Sequence, residues 1–380
     1  MPLSIGVIAW NEERALIPLL KSLFGQTLFS ELAKRNWSCE ILCIANGCSD
    51  CTATVASKAF EHQKREHPYR NQFSCRVTDL PERGKLNAWN QFVHSISAPE
   101  AKFLLLMDAD IILHDPGTLW NLLEALLENP SAKIAVGTPR KDIFFKPKRS
   151  WRERMSLQAS EITGSATAQL CAQLYCIRSE IARNIYLPKD LGACEDGFIK
   201  QVVCTDFLTG PAAPERIHLA KKAEHTFEAY TSPAAIFKNH KRQMIGQTVV
   251  HILVDDYIRG LPLAERLGLG NTLREKDRND PLWLKRLIHQ HLRKKRYFWR
   301  IYPGLMAHRF KTLSKLSLSK RLKCLPAATA GSFVAFVACW MAYRALKAGS
   351  THYWPRAERA GLDTIETDRQ NILGVQTNHP

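Results

Sequence analysis

Two aspartates follow a strongly apolar run in the first third of the chain. Phe103–Met107 consists of five apolar residues, and Asp108-Ala109-Asp110 comes directly after it. In an extended or turning backbone the side chains at i and i+2 point the same way, so both carboxylates can reach one hard divalent cation. Magnesium takes a few protein oxygens together with waters and phosphate oxygens, which suits a metal–diphosphate site. Paired surface acids that cap a helix give the same string, but the preceding apolar run favours the functional interpretation.

Two further polar clusters follow apolar runs in the same way. Ile5–Ala9 leads to Asn11, a candidate helix N-cap, and Ile41–Ala45 leads to the turn-prone residues 46–50. Helical patterns separate these runs, so we predict a mostly parallel sheet with helices on both faces. Ligands bind at the carboxyl ends of the strands in such sheets. The three polar clusters are therefore expected to share one edge of the sheet.

The pattern continues less regularly along the chain. Residues 236–257 are predicted to be helical, and residues 260–280 are predicted to be a turn-rich connection. Further strands are predicted at Phe73–Thr78, Ile134–Val136, Leu170–Ile177 and Ile217–Ala220.

The charge distribution divides the chain into a near-neutral body and one basic segment. The composition, with 45% hydrophobic and 23% charged residues, excludes a mostly disordered, collagen-like or multi-span membrane protein. From Pro281 to Arg356 there are 16 Lys and Arg residues and no Asp or Glu. A solvated charged face explains the bases but not the absence of acids. The aromatic-rich basic stretch is therefore expected to contact anionic lipid headgroups.

A stretch without charges follows the most basic part of this segment. Residues 324–343 are twenty uncharged residues, about 30 Å long as a helix and enough to cross a hydrocarbon core. A single membrane span is the favoured interpretation, with an interfacial or re-entrant helix and a buried soluble helix as alternatives. The polar residues that follow, up to residue 380, are predicted to be a loosely ordered tail.

The eleven cysteines are expected to be reduced thiols in the cytosol. Their number is odd, the chain is long, and the N-terminus lacks the charged-then-apolar pattern of a signal peptide. Cys48 and Cys51 form a CxxC pattern without a matching downstream pair, which is weak evidence for a metal or redox site.

Five motifs in register resemble those of a family 2 glycosyltransferase with the GT-A fold. The resemblance covers roughly residues 3–250. The motifs are Ile8–Glu13, Ile44–Thr52, Gly84–Asn90, Met107–Asp110, and the pair formed by Tyr175–Glu180 and Ala193–Asp196.

The resemblance implies a nucleotide-sugar pocket and a divalent cation. The positions that it assigns to the donor are Asn11, Glu13, Asn46, Asp50, Lys85, Asp108 and Arg242. Asn46 replaces the family's usual Asp in the base-binding region, which leaves the base open. Asp110, with Asp108, would hold Mg²⁺ or Mn²⁺. His225 could be a third metal ligand, although a lone histidine is more often structural.

The resemblance also assigns the acceptor side of the reaction. Asp196 matches the general base, and Glu195 lies beside it in the family's Glu-Asp motif. A carboxylate is needed there because a hydroxyl is a poor nucleophile near pH 7 and must lose its proton as the new bond forms. Processive members carry a Gln-x-x-Arg-Trp motif where this chain has Asn239 and Gln243 around Arg242, which favours non-processive transfer.

We therefore predict a metal-dependent inverting glycosyltransferase that transfers one sugar to a lipid-linked or saccharide acceptor. Its GT-A catalytic domain would span residues 1–250, with a nucleotide-binding half at 1–140 and an acceptor half at 141–250. A basic helical segment at 251–323, the candidate transmembrane helix at 324–343 and the tail at 344–380 would follow. The enzyme would be membrane-associated through residues 282–343, with its catalytic domain facing the cytoplasm.

Two alternatives belong to other classes. A nucleotidyltransferase shares the fold and the metal chemistry but has a Gly-rich, basic loop after its first strand, where this chain has Ala9–Glu13. A non-catalytic protein could use the basic segment to bind nucleic acid or membrane. Nucleic-acid affinity should then fall steeply with salt and survive Asp110→Ala. The bases adjoin the uncharged stretch, so no nucleic-acid partner is expected.

Overall fold

A computed structural model describes most of the chain and divides it into two units. The described residues are 2–148, 150, 153, 154, 157, 169–230, 232–295, 297–301 and 318–351. Among them, unit 1 comprises residues 2–187 and 200–229, and unit 2 comprises residues 188–199 and 230–351. Residues 352–380, most of the predicted polar tail, lie outside the described part of the chain.

Unit 1 contains an eight-stranded mixed sheet with the strand order β3-β2-β1-β4-β7-β6-β8-β5. The four strands β3, β2, β1 and β4 are parallel, as the apolar runs predicted, and β6 and β8 are also parallel. β7 is antiparallel to both β4 and β6, and β5 is antiparallel to β8. The strands are β1 Leu3–Ala9, β2 Cys39–Asn46, β3 Phe73–Leu80, β4 Phe103–Asp108, β5 Ile112–Leu113, β6 Ile134–Lys141, β7 Leu174–Arg178 and β8 Ile217–Phe227.

Twelve α-helices lie in the described residues. Two of them extend into π-helical turns, at Phe92–Ile96 and at Ile252–Tyr257. The α-helices are α1 Leu16–Phe24, α2 Leu28–Lys34, α3 Thr52–Glu66, α4 Lys85–Gln91, α5 Thr118–Glu128, α6 Ser179–Ala182, α7 Glu195–Cys204, α8 Pro233–His251, α9 Leu263–Leu267, α10 Leu269–Asn279, α11 Trp283–Lys294 and α12 Leu318–Lys347.

Helices cover both faces of the sheet at β1. Every residue of β1 is buried, and the side chains on one face of it join a core with apolar side chains of α1, α2, α3 and α5. On the opposite face, a Cβ atom at Gly6 would lie 2.8 Å from the ring of Phe92, so the glycine lets this ring pack directly on the strand. Burial on both faces explains why the strand is continuously apolar.

The structure corrects two local predictions. Asn11 is not a helix N-cap, because α1 begins five residues later at Leu16 and its N-cap position is Ala15. Residues 260–280 are not a turn-rich connection: α9 and α10 occupy most of this stretch. Its glycines lie at helix boundaries, since Gly268 ends α9 and precedes α10.

The predicted C-terminal helix forms as α12, which contains residues 324–343. Among the described helices, however, none combines the length and the apolarity that a membrane span requires. Residues 324–343 include six alanines together with Pro326, Thr329, Gly331 and Ser332, which dilute the hydrophobicity of the stretch. The predicted membrane span is therefore not confirmed. The cysteines whose side chains are described are free thiols.

Candidate active site

Two loops meet at the carboxyl ends of β1 and β2 in unit 1. Asn11 has a left-handed backbone with φ of 54°, a conformation that asparagine tolerates better than most residues. Its side-chain amide donates to Ser49 Oγ at 3.1 Å, and its Oδ1 accepts from the Ser49 backbone N–H at 2.8 Å. The Asn11 backbone N–H also points at Cys48 Sγ, 3.3 Å away. These contacts fix the turn after β1 against the turn after β2.

Glu13 and Asp50 extend the contact between the same two loops. The Glu13 backbone N–H donates to Asp50 Oδ2 at 3.3 Å, and the Cys51 N–H donates to Glu13 Oε2 at 3.2 Å. Asp50 Oδ1 also accepts from the N–H of Thr52, the first residue of α3. The Thr52 hydroxyl accepts from the Glu12 N–H at 2.8 Å. Sequence reasoning missed Thr52, for which the signal is its position at the start of a helix directly after the acidic turn.

Asn46 lies at the same edge but is turned inward. Its side chain is only 2% exposed, its Nδ2 donates to the Ala9 carbonyl at 2.6 Å, and its Oδ1 accepts from the Gly84 N–H at 3.1 Å. The next residue, Gly47, has φ of +64°, and a Cβ atom there would come within 2.7 Å of the Arg83 backbone. Asn46 thus joins three loops through hydrogen bonds to backbone groups. This structural role is additional to the predicted nucleotide contact.

Lys85 and Asp108 form an ion pair at this edge. Lys85 is the first residue of α4 and Asp108 is the last residue of β4. The Lys85 ammonium lies 2.6 Å from Asp108 Oδ1 and 2.8 Å from Oδ2, and both side chains are largely shielded from solvent. The structure therefore neutralises one acid of the Asp108-Ala109-Asp110 motif with a cation of the chain itself.

Asp110 is separated from Asp108 by a single residue. Ala109 between them is buried, and its backbone N–H donates to the Ile8 carbonyl, which ties the motif to the end of β1. Asp110 itself is half-buried. Among the described residues no three His, Cys, Asp or Glu side chains gather into a metal-binding group. The half-buried carboxylate of Asp110 fits a hard cation whose other ligands would be phosphate oxygens.

His225 lies on β8, paired in register with Leu113 of β5, three residues after Asp110. It is fully buried, and burial lowers the pKa of its imidazole to about 4, so the ring is neutral near pH 7. Nε2 lies 3.4 Å from Gln173 Oε1, and Nδ1 has no hydrogen-bond partner in the part of the chain that the structure describes. A neutral imidazole is the form that binds metal, so its predicted role stays a prediction.

Gln173 is a residue that the sequence analysis missed. Its backbone carbonyl accepts from the Asp108 N–H at 2.9 Å, while its side chain faces His225. It therefore connects the end of β4 with β8. Its signal in the sequence is only its position just before β7.

The predicted acceptor-side residues lie in a turn of unit 2. Glu195 and Asp196 form the first turn of α7, where the positive end of the helix dipole favours carboxylates. Asp196 Oδ1 accepts from the Gly197 N–H at 2.7 Å, and Asp196 is half-buried, whereas Glu195 is buried. Of the two acids, Asp196 is thus the more accessible, in keeping with its predicted role.

Cys194 attaches this turn to α8. Its Sγ donates to the Gln243 carbonyl at 3.6 Å, and a Cβ atom at Gly246 would come within 2.6 Å of the same sulfur. Burial raises the pKa of the Cys194 thiol, the charges of Asp196 and Glu195 raise it further, and the charge of Arg242 lowers it. Arg242, Glu195 and Asp196 therefore all act electrostatically on Cys194, although Arg242 is more than forty residues from the two acids in the sequence.

Residues 4–182 match the family model described as glycosyl transferase family 2. This part of the chain is a family 2 glycosyltransferase domain. The enzyme's matched segment contains Asn11, Glu13, Asn46, Asp50, Lys85, Asp108 and Asp110. Enzymes of this family use nucleotide sugars as donors. No curated protein matches the chain.

Solved structures show a general likeness to the chain. The crystal structure of Staphylococcus aureus TarS 1–349 is 17% identical, with 93% of each chain covered and a TM-score of 0.43. Mycobacterium tuberculosis glucosyl-3-phosphoglycerate synthase is 17% identical, with 69% of this chain and 81% of that chain covered and a TM-score of 0.42. The same synthase in complex with Mn²⁺, UDP and glucosyl-3-phosphoglycerate is 16% identical, with the same coverage and a TM-score of 0.42. With TM-scores below 0.5, these likenesses carry no argument about this chain.

Proposed function

We propose that this glycosyltransferase catalyses the metal-dependent, inverting transfer of a single sugar from a nucleoside-diphosphate sugar to a lipid-linked or saccharide acceptor. The observation that carries the proposal is the convergence of Asn11, Glu13, Asp50, Lys85 and Asp108 at the carboxyl ends of β1, β2 and β4. Cavities at this edge of a parallel sheet are the common place for nucleotides. The GT-A arrangement of the catalytic domain belongs to the same proposal.

The donor would be held mainly by the loops after β1, β2 and β4. Asp110 is the residue that would hold Mg²⁺ or Mn²⁺, and the bound cation would neutralise charge that develops on the departing diphosphate. The Lys85 ammonium offsets the negative charge of Asp108, so that this acid does not repel the diphosphate. Preorganised charges of this kind stabilise a transition state without the cost of reorienting water.

The reaction forms one bond and breaks one bond at the anomeric carbon. The acceptor oxygen attacks the anomeric carbon. At the same time the bond between this carbon and the β-phosphate oxygen breaks, and the nucleoside diphosphate leaves. The acceptor proton passes to the Asp196 carboxylate, which acts as general base with Glu195 beside it in the same helical turn. Attack opposite the leaving group inverts the anomeric configuration. Arg242 of α8, whose charge also acts on Cys194, would add positive charge near this turn.

Release of nucleoside diphosphate from purified full-length enzyme tests the proposal. A panel of UDP-, GDP- and dTDP-sugars would be supplied with and without Mn²⁺, and Asp110→Asn and Asp196→Asn would be compared with the exposed-site control Glu66→Gln. We expect release with at least one donor, dependence on Mn²⁺, and a loss of about 100-fold or more in each active-site variant but not in the control. No release with any donor, or full activity of Asp196→Asn, would contradict the proposal.

A further inference from the structure

Helix α12 presents two different apolar faces. Ala335, Ala338 and Ala342 are buried on one face, where α12 packs against α8 within unit 2. Phe333 and Trp340 lie on the other face with Phe336, at i, i+3 and i+7. The exposed fraction is 66% for Phe333, 38% for Phe336 and 44% for Trp340. A helix that is apolar all round is usually buried, so the exposed aromatic face requires a partner.

A second element extends this exposed face. The 3₁₀ turn Phe298–Arg300 packs against α12, and Tyr297 and Trp299 are 38% and 41% exposed. Their rings stack at 4.7 Å with an angle of 11° between the planes, and the Trp299 ring lies 6.5 Å from Phe336. The five residues form one surface, which we call the aromatic surface: Tyr297, Trp299, Phe333, Phe336 and Trp340.

Basic side chains adjoin the aromatic surface. Arg293 and Lys294 are exposed at the end of α11, just before Tyr297 in the sequence. The Arg344 guanidinium lies 5.1 Å from the centre of the Trp340 ring, at the end of the aromatic stripe. The whole stretch from residue 281 to residue 356 contains no acid to offset these charges. The partner of this surface must therefore accept both large aromatic rings and positive charge.

We propose that the aromatic surface docks onto the interfacial layer of an anionic lipid bilayer. Trp and Tyr rings favour the headgroup level of membranes, and Lys and Arg beside them are attracted to anionic lipids of the cytoplasmic leaflet. A second copy of the chain would bring the same unbalanced bases together, so charge complementarity favours lipid over self-association. The inference concerns location and does not rest on the proposed glycosyl transfer.

Vesicle co-sedimentation of the full-length enzyme tests the docking. Vesicles of phosphatidylcholine alone would be compared with vesicles of phosphatidylcholine and phosphatidylglycerol. We expect binding to the anionic vesicles that falls about tenfold or more in Trp299→Ser/Phe336→Ser/Trp340→Ser. The matched control, Phe144→Ser/Phe145→Ser, removes two exposed aromatic rings from unit 1 and should bind like the wild type. The variant Arg293→Gln/Lys294→Gln should lose affinity for anionic vesicles.

Three results would overturn the docking proposal. The first two are absence of wild-type binding to anionic vesicles and equal binding by the aromatic triple variant. The third is a wild-type dimer in light scattering that is lost in the aromatic triple variant but not in the other variants. Circular dichroism and melting temperature would show that the variant folds. If it does not fold, quenching of wild-type tryptophan fluorescence by brominated phosphatidylglycerol replaces the comparison, and no quenching would overturn the proposal. Release of nucleoside diphosphate in lipid-free buffer is measured separately, so the two proposals can fail independently.

Discussion

The ion pair between Lys85 and Asp108 involves one acid of the predicted metal-binding motif. Both oxygens of Asp108 lie within 2.8 Å of one ammonium group, so the ion pair orients this carboxylate through charge-assisted hydrogen bonds. Asp110, two residues further along the chain and half-buried, is the acid that we propose would hold the cation. The sequence predicted both Asp108 and Asp110 as metal ligands, but it did not predict that Lys85 pairs with Asp108.

Replacing Lys85 tests whether its ion pair with Asp108 contributes to use of the donor. In Lys85→Gln the positive charge beside Asp108 disappears, so we expect kcat/KM for the donor to fall about tenfold or more, because a bond to a charged group contributes about 1.5–3 kcal/mol. Steady-state kinetics at saturating acceptor would measure the effect. Lys58→Gln, at an exposed position of α3, is the matched control. Wild-type kinetics in Lys85→Gln would show that the ion pair has no part in donor use.

His225 makes a pH-dependent contribution to stability. Burial lowers its pKa in the folded state to about 4, from the ordinary histidine value of 6.5. Between these two values the unfolded state binds more protons, so stability rises with pH across this window. At pH 5 the histidine should cost about 2 kcal/mol relative to pH 7.5. Denaturant unfolding in EDTA at both pH values should show a smaller difference in His225→Gln, and an equal difference would contradict the assignment.

At the scale of elements, the junction of α7 with α8 positions the predicted general base. Gly246 of α8 leaves room for the Cys194 side chain, which precedes the first turn of α7. Alanine normally favours a helix over glycine by about 1 kcal/mol. Here the added methyl group would meet the sulfur at 2.6 Å and the Ala193 carbonyl oxygen at 2.8 Å, so the turn must move.

We therefore expect Gly246→Ala to lower kcat about tenfold or more, because a small displacement of a catalytic group is costly. Cys194→Ala in the same chain removes the closest clash and should restore part of the activity, which makes the pair a double-mutant cycle. Gly268→Ala, between α9 and α10, is the control, since a Cβ atom there meets nothing closer than 3.7 Å. Independent, additive effects of Gly246→Ala and Cys194→Ala would contradict the contact.

The whole molecule links ligand binding to stability. If the proposed donor site forms in the folded state only, UDP with Mn²⁺ stabilises the chain by about 2.7 kcal/mol at a hundredfold excess over its dissociation constant. Thermal unfolding should show a higher melting temperature with both ligands than with either alone. Asp110→Asn should lose the Mn²⁺-dependent part of the increase. A melting temperature that stays unchanged when UDP, GDP or dTDP is added with Mn²⁺ would contradict a nucleotide site at this edge.

Local patterns in the sequence determined much of the chain's architecture and led to the prediction of its donor-side residues. Continuous apolar runs predicted β1, β2 and β4, and the polar residues that follow them meet at one edge because parallel strands place their carboxyl ends together. The motif register predicted the family, which the match over residues 4–182 confirmed. These features were readable because each depends on residues close together in the chain.

Tertiary structure decided which contacts those residues make and which of them are buried. The antiparallel insertion of β7, the inward turn of Asn46, the pairing of Lys85 with Asp108 and the exposure of the aromatic face of α12 all depend on contacts between distant segments. Periodicity shows which side of a helix is apolar, but not whether a neighbour covers it. Only the packing of α12 on α8 shows that the alanine face is buried and the aromatic face is left exposed.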